Sequence, residues 1–350
     1  MQAVVLVGGE GTRLRPLTIN HPKPAIELVD RPFIRYMVEW LGRHGIDEVI
    51  MACGFKAELL RDALGDEVPG GPKVRYIEED EPLGTAGPIR LAADEGLLGD
   101  RFMVLNGDVL TDLDLTALQR QHAETEAVGT LALYPVDDPT SYGLVRRAED
   151  GRVLGFLEKP DPSEIDTDEI SAGAYVLESV VLDLIPAGRA VSIEREVFPR
   201  LVGQGLYGRR LEGYWMDIGT PERYLQACWD ILEGAVRTDV VATQPGLFVH
   251  AEAEVEDGAQ VGPRAVVGPG CEVAAGATIV DTVLFGDCRV AEDARVESAI
   301  LARGVSVGEG AAIAPGAVIG EGATIEAGAE VAGDARIAPG EIVAGEAVAP

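Results

Sequence analysis

The sequence predicts an α/β fold built on a Rossmann-like, mostly parallel sheet, followed by a left-handed parallel β-helix of hexapeptide repeats. Three observations carry this reading. Short apolar runs alternate with helical stretches up to about residue 235, the grammar of a sheet flanked by helices. Beyond Gly246 an aliphatic residue recurs at every sixth position, the period of a hexapeptide solenoid. The first apolar run ends in GGEGTRLRPLT, at the carboxyl end of a strand, where open α/β sheets bind their ligands.

Taken in order, AVVLV (3–7) reads as a buried strand and FIRYMVEWLGRHG (33–45) as a helix that ends at a glycine. DEVIMAC (47–53) is a strand, AELLRDAL (57–64) a helix, and FMVLNGD (102–108) a strand that ends in a polar corner. The expected division is a catalytic domain over 1–235, a linker over 236–246 and a repeat domain over 247–350. In the repeat domain Val249, Val255, Val261, Val267, Val273 and Ile279 keep the six-residue step. After a slip Val290 and Val296 resume it, and after another so do Val307, Ile313, Ile319, Ile325, Val331, Ile337 and Val343. Each aliphatic is expected to point inward, with three hexads closing one coil and about five coils in all. The four histidines stand at 21, 44, 122 and 250, so the coils beyond the first lack the histidine base that acyl transfer on such a scaffold needs. A structural role in a homo-oligomer is expected instead.

With a net charge of −30, the chain is a poor ligand for nucleic acid or an anionic membrane. A few cations in one loop can still dominate a local field. Cys53, Cys228, Cys271 and Cys288 are too scattered for a disulfide framework or a CxxC metal site. No charged-then-apolar segment precedes the first strand, and no apolar run reaches the ~18 residues of a membrane span. A reducing, cytoplasmic compartment is expected.

The opening loop fits neither of two familiar phosphate motifs. The P-loop spacing is absent, and a GxGxxG begun at Gly9 would need glycine at Leu14. What stands there is a strand, then bare backbone N–H groups that can approach a polyphosphate. Arg13 and Arg15 follow, and Lys23 sits between prolines that fix its backbone.

GGEGTRLRPLTINHPKP resembles the signature of the sugar nucleotidyltransferases, which join a nucleoside triphosphate to a sugar 1-phosphate. The resemblance continues through EDEPLGTAGPI (79–89), NGDV (106–109), SYGLV (141–145), FLEKP (156–160), SAGAYV (171–176), SIEREVFP (192–199) and YWMDIGTPERY (214–224). With the hexapeptide repeats added, the order is most similar to the guanylyltransferases that use mannose 1-phosphate.

The resemblance implies roles residue by residue. Gly8, Gly9, Gly11 and Thr12 would cradle the nucleotide phosphates, with Gly84 and Thr85 also on the nucleotide side. Arg13 would clamp the departing pyrophosphate, and Lys23 would support the α-phosphate. Asp108 and Asp217 match the family's metal-holding carboxylates, and two carboxylates completed by phosphate oxygens and water suit Mg²⁺. Glu158 and Lys159 match the pair that holds sugar hydroxyls and sugar phosphate, and Gly143 the glycine beside the ring. Ser171 departs from the family's usual Asn, which has both a donor and an acceptor with more reach.

Glu79 stands where pyrimidine-using relatives commonly carry Gln. An ionised carboxylate only accepts hydrogen bonds, which suits the adjacent N1–H and N2 amine of guanine and sets GTP as the expected nucleotide. Another sugar 1-phosphate (glucose or a manno-heptose), dTTP or UTP as donor, and a non-catalytic regulatory subunit stand as alternatives. The intact loop, Lys23, Asp108 and Asp217 argue against the last.

Overall fold

The computed structural model describes residues 1–54 and 57–345; the last five positions of the expected repeat domain, 346–350, lie outside the described residues. Two compact units emerge: Met1–Gly9 with Ile34–Trp215, and Glu10–Phe33 with Met216–Pro350. The loop segment after Gly9 therefore groups with the repeats rather than with the strand it leaves.

In the first unit, strands β1 (Gln2–Leu6), β2 (Glu48–Cys53), β3 (Lys73–Glu78) and β4 (Arg101–Asn106) form a parallel set in the order β4-β1-β2-β3. Ala3, Val4 and Val5 are fully buried, because a parallel strand covered on both faces reads as a continuous apolar run rather than an alternation. Helices α1 (Phe33–Arg43), α2 (Ala57–Leu64), α3 (Gly87–Asp94) and α4 (Leu115–Glu124) accompany the strands. The predicted end of α1 at a glycine is met by Gly45, whose φ of 77° is left-handed.

Past β4 the sheet turns antiparallel. Strand β8 (Glu169–Glu178) pairs antiparallel with β4, with β5 (Gly129–Pro135) and with β6 (Gly143–Arg147). Strand β7 (Val153–Glu158) closes one edge against β6, and β9 (Leu206–Arg210) runs parallel to β5. The register of β8 shifts between Ser171 and Tyr175. There Gly173 sits at φ 72°, and a Cβ on it would lie 2.8 Å from the Asn106 side chain. This bulge breaks the ladder at the end of β4.

In the second unit, helix α5 (Pro221–Leu232) is capped by Thr220, whose hydroxyl accepts from the Arg223 N–H. Short strands then stack in three parallel sheets of six, six and five strands among the described residues, the β-helix the repeat predicts. The two slips are coils of 17 residues instead of 18: Ile279 pairs with Val296, and Val296 with Ile313. The periodic aliphatics from Val267 onward are buried. Val255 is a correction, being 39% exposed. It belongs to the first coil, whose strand pairs on one side only. A second inward column was missed: two positions before the aliphatic, Ala277, Ala294, Ala311, Ala323 and Ala329 are fully buried. Cys271 and Cys288 occupy that column as free thiols.

Candidate active site

Strand β1 is central in the first unit, so its carboxyl end delivers Gly8 and Gly9 to the edge where β4 ends. The Gly107 N–H donates to the Leu6 carbonyl (2.9 Å), and a Cβ at Gly107 would lie 2.4 Å from Val7. A side chain there would force apart the two strand ends that present Gly8 and the half-buried Asp108. Glu79, one residue past β3, reaches the same edge. Its Oε1 lies 3.3 Å from the Cβ position of Gly8, and its Oε2 accepts from the Leu83 N–H at 2.7 Å. Burial pushes its carboxyl up from the ordinary value, with the Leu83 bond opposing.

Gly84 adopts φ 72°, and a Cβ would meet the Val191 carbonyl at 2.6 Å. The Val191 N–H donates to Leu83 O, and the Ala86 N–H to Val191 O, so segments more than 100 residues apart are laced around this glycine. The Thr85 hydroxyl donates to Glu194 Oε2 (2.6 Å) and accepts from the Ile193 N–H (2.9 Å).

Between β6 and β7, a Cβ at Gly143 would lie 2.5 Å from the Phe156 ring and 3.2 Å from Glu158 Oε2. Only glycine lets the Glu158 carboxylate lie over this backbone. Burial raises the pKa of Glu158, and the nearby Glu194 charge raises it further. Lys159 is exposed with φ 53°, its N–H held by the Tyr142 carbonyl at 3.0 Å. Ser171 is half-buried on β8, opposite Leu133 and at the start of the bulge.

The second unit carries Arg13 and Lys23. Gly11 is left-handed (φ 61°), and a Cβ on it would press on Thr18 at 2.9 Å and on Lys23 at 3.1 Å. The Thr18 hydroxyl donates to Gly11 O. One tight turn thus packs Gly11 against the stem of Lys23, with Thr12 and Arg13, both exposed, directly following it. The Arg13 guanidinium lies where a Cβ of Gly219 would be, at 2.9 Å. Lys23 is 9% exposed, with its Nζ 3.9 Å from Asp217 Oδ1. Arg223 Nη1 donates to Asp217 Oδ2 at 3.2 Å.

The structure thus brings Gly8 to Glu79, Gly143 to Glu158, Gly11 to Lys23, and Lys23 to Asp217. Sequence reasoning assigned no role to Glu194, Tyr175 or Arg223. Glu194 lies in a π-turn over Ile193–Val197, a local irregularity often found at functional positions. The Tyr175 hydroxyl is fully buried without a hydrogen-bond partner among the described residues, and burial raises its pKa well above the ordinary value, the Glu194 charge adding to it. Their only sequence signal was membership of SIEREVFP, SAGAYV and YWMDIGTPERY.

Among the described residues no group of three or more His, Cys, Asp or Glu is placed to hold a metal ion. Asp108 and Asp217 offer hard oxygen donors, and Asp217 sits beside the Lys23 ammonium and the Arg223 guanidinium. Their chemistry fits an ion such as Mg²⁺, which completes its shell with phosphate and water.

Residues 2–234 match the nucleotidyl transferase family, and residues 243–347 match the GMPPB C-terminal domain. The chain belongs to the nucleotidyl transferase family and is a nucleotidyltransferase enzyme. A mannose-1-phosphate guanylyltransferase of Mycobacterium tuberculosis is 41% identical over 88% of this chain and 81% of its own. Mannose-1-phosphate guanylyltransferase 1 of Arabidopsis thaliana is 36% identical over 88% of each chain. Among solved structures, HddC from Yersinia pseudotuberculosis complexed with GMP-PN aligns over 66% of this chain and 99% of its own, with 29% identity and a TM-score of 0.56. No helix among the described residues is long and apolar enough to cross a membrane.

Proposed function

We propose that the protein transfers a guanylyl group from GTP to mannose 1-phosphate, giving GDP-mannose and pyrophosphate. The observation that carries this reading is Glu79. Its carboxylate is pinned by the Leu83 N–H and set against Gly8. An acceptor-only group there matches the two adjacent donors of guanine and opposes the carbonyl of a pyrimidine. The names of the relatives agree.

A phosphate oxygen of the sugar 1-phosphate attacks the α-phosphorus of GTP, the bond from that phosphorus to the bridging oxygen breaks, and pyrophosphate leaves. The nucleophile needs no general base, because a phosphate monoester is largely ionised above its second pKa of about 6. Catalysis then rests on positioning two polyanions and on stabilising the charge that develops on the leaving group. Gly8, Gly9, Gly11 and Thr12 contribute backbone N–H groups, with Gly84 and Thr85 shaping the nucleotide side. Arg13 holds the leaving pyrophosphate, and Lys23 exchanges Asp217 for the α-phosphate. Glu158 accepts from sugar hydroxyls, Lys159 holds the sugar phosphate, and Gly143 and Ser171 border the ring. Asp108 and Asp217 would hold Mg²⁺, which supplies neutralisation of triphosphate charge.

A pyrophosphate-release panel tests this reading by crossing GTP, dTTP, UTP, ATP and CTP with mannose-, glucose-, galactose- and N-acetylglucosamine 1-phosphates and a manno-heptose 1-phosphate. GTP with mannose 1-phosphate is expected to give the highest kcat/KM. A better sugar with GTP would direct attention to Ser171, and a better pyrimidine nucleotide would overturn the role of Glu79.

A further inference from the structure

The segment that carries Arg13 and Lys23 has little regular structure of its own. Over Glu10–Phe33 it forms two three-residue 3₁₀ turns and a two-residue hairpin. Several of its fixed points come from elsewhere in the second unit. The Tyr224 hydroxyl of α5 donates to the Glu27 carbonyl at 2.6 Å. A further set of fixed points lies on one corner of the β-helix. Arg303 Nη2 donates to Glu27 Oε1 at 2.5 Å, and its Nη1 to Asp287 at 2.7 Å. One coil on, Glu321 Oε2 accepts from Asn20 Nδ2 at 3.1 Å and lies 3.4 Å from His21 Nε2.

These contacts share a register. Leu284, Leu301, Ile319 and Ile337 are successive partners in one sheet. Gly286, Arg303, Glu321 and Pro339 each stand two residues past them. Gly286 has a reason to be bare: a Cβ on it would lie 2.6 Å from the Arg303 guanidinium. The coil below is thus cut away so that Arg303 can lie flat and reach the loop. Burial works against the charge of Arg303, yet Glu27 and Asp287 hold its pKa above the ordinary value.

We infer that this corner of the β-helix, through Arg303 and Glu321, positions the loop bearing Arg13 and Lys23 for catalysis. Arg303 and Glu321 are positioning residues, and the repeat domain acts on the reaction itself, beyond any part in assembly. The inference deepens the reading of the site given above and rests on it.

The test uses the full chain with Arg303→Ala, Glu321→Ala and Arg303→Lys, and Arg289→Ala as control. Arg289 pairs with Glu272 on a different sheet. Misplacing catalytic cations by an ångström lowers turnover by roughly ten- to a hundredfold. A fall of that order in kcat is expected for Arg303→Ala, with KM for mannose 1-phosphate held within about twofold, partial rescue by Arg303→Lys and no change in the control. Hydrogen exchange across residues 10–33, measured without substrates, should rise in Arg303→Ala and Glu321→Ala, while the melting temperature matches the control. Unchanged exchange together with unchanged kcat would overturn the inference, as would an equal loss of kcat in Arg289→Ala. If the parent protein turns over no substrate pair, the proposed reaction fails, and the exchange comparison still decides whether the corner orders the loop.

Discussion

In the proposed reaction, Glu79 is the residue whose carboxylate would set the nucleotide. Its Oε2 is occupied by the Leu83 N–H, which fixes the plane of the carboxylate. Burial raises its pKa, so it loses its charge at a higher pH than an ordinary Glu as the solution is acidified. If the ionised form reads guanine as proposed, KM for GTP should rise as pH falls from 7 toward 5. Glu79→Gln should flatten that limb, which initial rates at saturating sugar phosphate would reveal. At Arg13 and Lys23 the account is one of charge. Replacing either with Ala should lower kcat/KM by on the order of 10²–10³, the loss seen when a donor to transition-state charge is removed. A loss confined to KM would place them in ground-state binding instead.

Among the elements, the glycines do the most to shape the site. At Gly143 any side chain meets Phe156 and Glu158, so Gly143→Ala should raise KM for mannose 1-phosphate with little change for GTP. A helix bonded to the sheet also carries a pH signature. His122 of α4 bonds Thr130 of β5 and Glu178 of β8 at 2.8 and 2.9 Å. Burial depresses its pKa below 6.5, against the bond to Glu178. The folded form therefore stays neutral where the unfolded chain takes up a proton. Its contribution is intact above the unfolded pKa and is lost as pH falls toward the folded one. Thermal melts from pH 7 to 5 should show a smaller decline in His122→Gln than in the parent.

Gly8, Gly9 and Gly11 were legible in the sequence because a strand that runs into bare backbone marks an approach to phosphate, whereas Gly143 was legible only through the family resemblance. The strands and the helix α1 were legible because burial on both faces and amphipathic spacing leave direct marks. Glu194 and Arg303 were not, since their meaning lies in partners more than 100 residues away: Thr85 for one, Glu27 for the other. The second inward column of the β-helix was hidden for another reason. Alanine is common enough in this chain that its phase is masked by exposed alanines.

At the scale of the whole molecule, the repeats form a one-dimensional stack in which each coil is stabilised by its neighbours. Ile313 and Ile319 lie in that core, at most 2% exposed. Ile319→Ala should destabilise the β-helix by about 2–5 kcal/mol, read as a fall in denaturation midpoint. The fold as a whole thus combines a sheet that presents glycine backbone with a stack of coils that carries the cationic loop. The central claim, that Glu79 selects guanine for transfer to mannose 1-phosphate, is tested most directly by the ratio of kcat/KM for GTP over dTTP in the parent and in Glu79→Gln. The account predicts a strong preference for GTP in the parent that erodes in the variant while turnover with GTP survives. An equal ratio in the two proteins would contradict it.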